Sequence, residues 1–489
     1  MKFKEIFSFH PFTNQFSKLY DLEINAIKMD SREIEKGDIF VCINGFTVDG
    51  HDYVDEAVHN GAVLVVAEKE MEAQVPVIVV PDSVRFLAMA AASFYNYPSN
   101  DIPLIGVTGT NGKTTVTYLL ENIFLHFGRT TGVIGTIQMK IGNKVFPIDN
   151  TTPDALFLQQ TFRKMIDSRV EQVIMEVSSH ALDQGRVYGC DFDIAIFTNL
   201  TQDHLDYHDS MDDYLRAKSL LFAQLGNQYH KDNRKFAIIN QDDPVSQKLM
   251  RSTAQNVVTY GMHKDSMVRA KSIRLTPTGT YFLLCTPNGN TAINSKLIGK
   301  FNVSNMLAAA AAAISYGIPL SVIKEALESI SGINGRFELV QHHHPFSVIV
   351  DYAHTPDSLE NVLTTIRDFA KGKVYVVVGC GGDRDRTKRP LMAKIAVQYS
   401  DVAIFTSDNP RTEDPKIILE DMIDGLSQED EMFEVIIDRK AAIHHAIQQA
   451  SEDDIILIAG KGHETYQQIG HRKYHFDDRE VALEALFLL

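Results

Sequence analysis

Short apolar runs alternate with helical patterns along almost the whole chain. In the first hundred residues DIFVCI, AVLVVA and VPVIVV read as strands, and SVRFLAMAAASFYNY carries helical spacing. PSNDIP then reads as a linker. From Ile102 the strand-like LIGVTG, VIMEVS, IAIFTNL and FAIIN alternate with helices, the signature of a largely parallel α/β sheet. A β-rich insertion, VRAKSIRLTPTGTYFLLCT, and an alanine-rich helix, NMLAAAAAAISYG, follow; the helix reads as packing. Around GINGRFE the pattern restarts, with SVIVDYA, KVYVVVGC, DVAIFTS, FEVII and DIILIAG as five more buried strands. The expected fold class is α/β in three domains. These are an N-terminal α/β domain (residues 1–98), a central ATPase-like domain with a parallel sheet (99–333) and a C-terminal Rossmann-like domain (334–489). No internal repeat or low-complexity tract interrupts them.

Length agrees with this division, since 489 residues exceed one ordinary core and suit about three domains of roughly 150 residues. Apolar content of 44% with 22% charged residues is that of a soluble globular protein. With 47 Lys and Arg against 63 Asp and Glu, the net charge is -16, which argues against nucleic acid or a membrane surface as partner. Anionic substrates remain open to it, because helix N-termini, Arg and metal ions hold anions locally. Cys42, Cys190, Cys285 and Cys380 lie far apart without a CxxC pair, and MKFKEIFSFHPF has no signal-peptide pattern. Reduced thiols in a cytoplasmic protein follow. No apolar run approaches the roughly 18 residues of a membrane span. A monomer is expected.

The strongest chemical signal is GVTGTNGKTT, Gly106 to Thr115, between the apolar LI and the helical VTYLLENIFLHF. Strand, glycine-rich turn and a helix opening with Lys-Thr make a phosphate cradle. Backbone N–H groups from Gly109, Thr110, Asn111 and Gly112 face phosphate oxygens, Lys113 adds charge, and Thr114, beside Thr115, ligates a nucleotide-bound magnesium. The usual loop GxxxxGK[ST] wants glycine at 107, where this chain has Val107. Three later segments also follow strands. MEVSSHALDQGRV supplies Glu176, Ser178, His180 and Arg186, TNLTQDHLDYH supplies His204, and DDYLRAKSLLF supplies Lys218. Ligands of open α/β sheets bind beyond the carboxyl ends of strands, so these groups are expected to converge on the phosphate loop. Each alone is more ordinary: a Glu or His after a strand is usually a solvated loop residue, and a Lys on a helix nearly always is.

Taken together, GTNGKTT, EVSSHALDQGRV, NLTQDHLDYH, YLRAK, GKFNVSN, INGRFE, VDYAHTPDSLEN, GCGGDRDRTKRP, DNPR and AGKGHE resemble the Mur ligases, within them the type that adds the third residue of the peptidoglycan stem peptide. The resemblance runs from DSREIEKGDIF near residue 30 to FDDRE near 480. It accounts for Val107, since the family's loop is GTNGKT[TS]. Phe337 varies the residue after the arginine of INGRFE, while Arg336 is kept. What the resemblance implies is ATP-dependent amide ligation: ATP phosphorylates a carboxylate, an amine attacks the acyl phosphate, and phosphate leaves. By carry-over, Lys113 and Thr114 hold ATP and Mg²⁺, Glu176 and His204 are metal ligands, and Lys218 matches the family's carbamylated lysine, a further metal ligand. Asn302, Arg336 and Asp351 match positions around the nucleotide, with His354 nearby. Ser31, Asn150, Thr151, Thr152, Ser178, Gln184 and Arg186 match those that hold UDP-MurNAc-L-Ala-D-Glu.

GCGGDRDR, with Asp401 about 20 residues on, tempts a dinucleotide-binding reading. Arg384 stands where the third glycine of GxGxxG belongs, and its bulk would spoil close helix packing. The resemblance instead makes Arg384 a carboxylate-binding residue of an amino-acid pocket completed by Asp408, Asn409, Pro410, Arg411, Gly460 and Glu464. DNPR is the form associated with meso-diaminopimelate; lysine-adding relatives depart from it at the arginine. Diaminopimelate is lysine with a second carboxylate at the far end, which a guanidinium grips bidentately, worth about 1.5–3 kcal/mol per charged hydrogen bond. Asp408 and Glu464 are then expected to receive the distal ammonium. Rival readings are the same chemistry with L-lysine, a folylpolyglutamate-synthetase-like ligase, an ATP-driven switch without ligation, and a metal-binding protein built on QHHHP. Three adjacent histidines do not easily point at one ion, which favours His342 to His344 as a polar loop.

Overall fold

Most of the apolar runs form parallel strands, and the loops at their carboxyl ends carry the candidate chemistry. The structure, a computed structural model, describes residues 1–9, 13–45, 48–229, 234–276, 278–426 and 433–489. Its chain divides into two compact units: residues 1–106, 129–195 and 220–235, and residues 107–128, 196–219 and 236–489.

In the first unit, strands Ile27–Lys28, Ile39–Val41, Leu64–Ala67 and Val77–Val79 form a four-stranded parallel sheet in chain order. Alternate residues feed opposite cores: Ile39 and Val41 join Phe3, Phe7, Leu64 and Phe86, while Phe40 and Cys42 join Val54, Ala57 and Val65. Both faces are covered, which is why these strands read as unbroken apolar runs. Helix Ser83–Phe94, capped by Asp82, closes one face. The same unit pairs Thr131–Ile134 with Gln172–Glu176 in parallel and adds an antiparallel hairpin of Met139–Ile141 and Lys144–Phe146. Sequence pattern did not signal that hairpin; its second strand is mostly exposed and has no apolar run to betray it.

In the second unit, Phe236–Asn240 and Asn256–Gly261 pair in parallel, and Val268–Thr276, Gly279–Thr286 and Gly289–Ser295 form an antiparallel meander, the β-rich insertion. Pro277, within that stretch, lies outside the described residues. Helix Lys300–Tyr316 buries Ala308 through Ala313 completely, and its small side chains let helix Lys113–His126 pack close. A six-stranded sheet follows in the order Glu338–Leu339, Ser347–Asp351, Ile455–Ala459, Val374–Val378, Val402–Phe405, Phe433–Val435, parallel except at the first strand. The loops leaving four adjacent strands, after Asp351, Ala459, Val378 and Phe405, therefore open side by side at one edge.

Candidate functional site

The first unit holds the candidate acceptor residues. Glu176 ends its strand buried, and its carboxylate accepts the Thr136 backbone N–H at 2.9 Å and the Thr136 hydroxyl at 3.0 Å. Thr136 also meets the Thr151 hydroxyl at 3.1 Å. Thr152, buried, donates to the Glu176 carbonyl at 2.9 Å and accepts the Ser178 N–H at 3.0 Å; Arg186 donates to the Thr152 carbonyl at 3.0 Å. Thr151, Thr152, Glu176, Ser178 and Arg186 thus form one connected group. Ser178 caps the short helix Ser179–Asp183 and Gln184 is its C-terminal cap, while Asn150 is exposed. Ser31 lies elsewhere in the unit, its hydroxyl on Glu56 at 2.5 Å, beside a cavity of 740 Å³ lined by Met29, Arg32, Tyr53, Tyr95 and Phe157 among others.

The second unit holds the phosphate loop. Gly109 and Gly112 both have positive φ, +146° and +87°, and a Cβ would stand 1.8 Å from the Thr198 hydroxyl in the one and 2.4 Å from Asn305 Oδ1 in the other. Only glycine fits either place. Asn199 anchors the turn, its carbonyl taking the Thr110 N–H at 2.8 Å and its side chain the Asn111 N–H at 2.9 Å. Lys113 folds over the loop onto the carbonyls of Gly109 and Thr110, at 2.9 and 2.8 Å. Val107 is fully buried in the preceding strand. Lys218, 1% exposed, also reaches the Gly109 carbonyl, at 2.8 Å, with its amine over the Tyr214 ring. Burial, with the nearby Lys113 charge, pushes the Lys218 amine well below the ordinary lysine range; Asp203 opposes this only in part.

Among the residues expected to surround a nucleotide, Arg336 Nη2 donates to the Thr114 hydroxyl at 3.2 Å, while Arg336 Nε is buried without a partner. Asp351 accepts the N–H groups of Phe337 and Ala353 at 2.6 and 2.7 Å; burial raises its carboxyl despite the Arg336 charge. A cavity of 290 Å³ is lined by Gly112, Thr115, Asn305, Arg336, Asp351 and Tyr352 among others. Asn302 sits one turn before Asn305 on the same helix and turns back to the Ile298 carbonyl at 2.8 Å; its Oδ1 takes a 3.3 Å bond from Asn305. Asn305 thus faces the cavity and Asn302 orients it.

Asp203, passed over in favour of its neighbour His204, proves central. Its buried carboxylate meets His204 Nε2 at 3.4 Å, Lys388 Nζ at 3.5 Å and His354 Nε2 at 3.7 Å. Burial alone would raise this carboxyl, but His204, His354 and Lys388 outweigh it and hold it well below the usual range. His204 itself has a left-handed backbone, φ +56°. No group of three or more His, Cys, Asp or Glu side chains arranged to hold a metal occurs among the described residues. In the QHHHP run, His342 and His344 lie beside Phe346, and His344 Nε2 bonds the Leu486 carbonyl at 2.9 Å.

The residues expected to hold an amino acid gather at the open edge of the six-stranded sheet. Asp408, Asn409 and Pro410 are buried, and Arg411 adopts φ +51°. Its guanidinium donates to the Gly382 carbonyl at 2.8 Å. Asn409 Nδ2 donates to Glu464 at 2.8 Å, and Gly460 lets Asp408 approach, since a Cβ there would stand 2.8 Å from Asp408 Oδ2. The loop is tied to the hairpin Tyr466–Ile469 and Arg472–His475: Arg411 N–H donates to the Gln468 carbonyl at 3.1 Å, and Gly470 N–H to the Arg411 carbonyl at 2.6 Å. Arg384 is exposed at the rim, donating to the Asp383 carbonyl at 2.9 Å.

The glycines of GCGG have a different purpose from a dinucleotide turn. A Cβ on Gly379 would lie 2.2 Å from the Thr406 carbonyl, and one on Gly382 2.0 Å from the Pro410 carbonyl. They let this loop lie backbone to backbone against TSDNPR. Asp401 is occupied as well, accepting Arg367 at 2.8 Å and the Val374 N–H at 2.7 Å.

The comparisons with known proteins agree along the chain. Three family models match: Mur ligase family, catalytic domain, over residues 23–95; Mur ligase middle domain, over 107–313; and Mur ligase, glutamate ligase domain, over 335–462. The UDP-N-acetylmuramoyl-L-alanyl-D-glutamate--2,6-diaminopimelate ligase of Oceanobacillus iheyensis is 61% identical, covering 99% of each chain. Its counterpart in Bacillus licheniformis is 51% identical over 100% of each. A solved structure of a ligase of that name matches with TM-score 0.71 at 33% identity, over 100% of this chain and 99% of that one. Mycobacterium tuberculosis folylpolyglutamate synthase, at 17% identity and TM-score 0.64 over 77% of this chain and 92% of its own, shares the fold.

Proposed function

This chain belongs to the Mur ligase family, and we propose that it joins meso-diaminopimelate to the D-glutamate carboxyl of UDP-MurNAc-L-Ala-D-Glu, driven by ATP, in peptidoglycan precursor synthesis. Its setting is the cytoplasm, where ATP and the nucleotide-sugar are found; among the described residues no helix is long and apolar enough to cross a membrane. Residues 1–98 grip the uridine diphosphate end, 99–333 bind ATP, and 334–489 bring the amino acid.

The observation that carries this reading is the seating of Arg411. A loop of buried Asp408, Asn409 and Pro410 presents the Arg411 guanidinium, whose charge acts on Asp408, while Asn409 of the same loop holds the Glu464 carboxylate. That pairing of charges matches a ligand end bearing both carboxylate and ammonium. L-lysine would leave Arg411 desolvated without an anion, and sites built around such a bond reject the lacking analogue by about 10⁴-fold.

At the nucleotide, Lys113 and the loop N–H groups hold the phosphates. The unpartnered Arg336 Nε fits a phosphate oxygen and would stabilise charge as the phosphoryl group transfers. Asp351, Asn302 and Asn305 shape the pocket for the rest of ATP. The hydroxyl of Thr114 and a carbamate on Lys218 are hard oxygen donors that suit Mg²⁺, with His204 as a third candidate ligand in the same unit; the Glu176 carboxylate, in the first unit, is a donor of the same kind. The metal supplies charge that lets two anions meet. A carbamate forms only on a neutral amine, and the burial of Lys218 favours that form. Thr151, Thr152, Ser178 and Arg186 hold the acceptor peptide, with Gln184, Asn150 and Ser31 toward the nucleotide-sugar.

The test is phosphate release and product mass with UDP-MurNAc-L-Ala-D-Glu, ATP and Mg²⁺, offering meso-diaminopimelate and L-lysine in parallel. Addition of diaminopimelate alone is expected. Addition of lysine at a comparable rate would refute the reading of Arg411, and ATP turnover without ligation would refute the whole assignment.

A further inference from the structure

Lys461, in the AGKGHE turn, was given no role by the sequence. It stands between two glycines with left-handed backbones, Gly460 at φ +113° and Gly462 at φ +51°, and its side chain is fully buried. Its amine donates to Asn409 Oδ1 at 3.0 Å and Glu464 Oε2 at 3.1 Å. Asn409 Oδ1 also takes the Gln468 N–H at 2.8 Å, and Asn409 Nδ2 donates to the same Glu464 oxygen. With both acceptor sites of Oδ1 filled, the Asn409 amide cannot flip. With Oε2 engaged twice, Glu464 is left with Oε1 for a ligand ammonium.

We propose that Lys461 is a positioning and specificity-determining residue of the amino-acid pocket, a built-in cation that orients Asn409 and Glu464 and offsets one of the pocket's two carboxylates. This rests on the reading of that pocket given above. Lys461 is buried against Glu464, and its charge, with those of Arg411 and of Arg439, itself paired with Asp478, acts on Asp408. The Lys461 charge also helps hold Asp408 ionised against its burial. This buried positive charge disfavours an incoming side chain that is only cationic, as lysine's is, and accepts one that brings a carboxylate with its ammonium. Selectivity then arises partly by repulsion, beyond the attraction to Arg411.

Two variants separate geometry from charge. Lys461→Met removes both; Lys461→Gln removes the charge and keeps an amide donor, one bond shorter, on the side of Asn409 and Glu464. The readout is the ratio of kcat/KM for meso-diaminopimelate to that for L-lysine, with KM for ATP measured alongside. Both variants are expected to lower the ratio by about tenfold or more, Lys461→Gln mainly through a lower KM for L-lysine and Lys461→Met also through a higher KM for diaminopimelate, with KM for ATP unchanged. An equal fall for the two amino acids, or an unchanged ratio in Lys461→Gln, would overturn the proposal even if Lys461→Met fails to fold. A wild-type enzyme without preference between the two amino acids would overturn the underlying reading of the pocket instead.

Discussion

Lys218 and Lys113 meet on a single oxygen: the Gly109 carbonyl accepts Lys218 Nζ at 2.8 Å and Lys113 Nζ at 2.9 Å. One lysine belongs to the phosphate loop, and the other reaches it from a helix about a hundred residues later. The loop backbone therefore couples the residue proposed to hold phosphate to the one proposed to carry a carbamate.

Lys218→Ala is expected to lower ligation by about 10²–10³-fold, the scale of removing one group that stabilises developing charge. A short carboxylate such as acetate, added to the assay, should restore part of the rate by standing in for the carbamate. Full activity in the variant, measured by product formation, would show that no anion is needed there.

Arg411 combines a proposed carboxylate-binding role with a left-handed backbone, φ +51°. Arg411→Ala should raise KM for diaminopimelate by about 10- to 100-fold, as expected for a lost charged hydrogen bond, and leave KM for ATP unchanged. Arg411→Gly should lose as much affinity yet be the more stable variant by about 1 kcal/mol, because glycine adopts φ +51° without penalty. Thermal unfolding of the pair checks the second part.

Gly382→Ala must push its loop off Pro410, since the obstruction is backbone and cannot swing aside. The expected result is a lower unfolding temperature and a large rise in KM for diaminopimelate, with nucleotide binding retained. Gly332→Ala is the control, because nothing lies within 4 Å of that Cβ and its backbone is not left-handed. It should be neutral in both assays.

His463 gives a pH signature. Burial, then the nearby Arg336 and Arg479, lower its pKa to about 3, so it stays neutral in the fold while the unfolded chain protonates near pH 6.5. A depressed folded value means stability is fully present above about 6.5 and is lost as pH falls toward 3, at no more than about 1.4 kcal/mol per pH unit. The ring is only partly shielded from solvent, so the observed slope should be lower. His463→Gln should flatten this decline between pH 6.5 and 4 in thermal unfolding; an unchanged slope would contradict it.

The legible parts of this protein were those written in contiguous residues. GTNGKTT declared its turn because two glycines must precede a helix that opens with Lys-Thr, and the strands declared themselves because burial on both faces forces unbroken apolar runs. What escaped was set by partners distant in sequence. Nothing local distinguishes Asn302 from Asn305; only packing against Gly112 decides which one faces the cavity. Asp203 looks like a loop aspartate until His354 and Lys388 arrive from more than 150 residues away. Lys461 looks like a surface lysine between glycines until the Asn409 loop closes over it. The hairpin Tyr466–Ile469 and Arg472–His475 has too few apolar residues to be read as strand, yet it anchors the backbone of Arg411.

The contact of GCGG with TSDNPR bears on how this specificity can be transplanted. Because Gly379 and Gly382 touch carbonyls of the opposite loop, the four letters DNPR are half of a two-part module. Grafting them alone into a relative whose first loop carries side chains at those glycine positions would seat the arginine wrongly. A swap of amino-acid preference between family members should succeed only when both loops travel together.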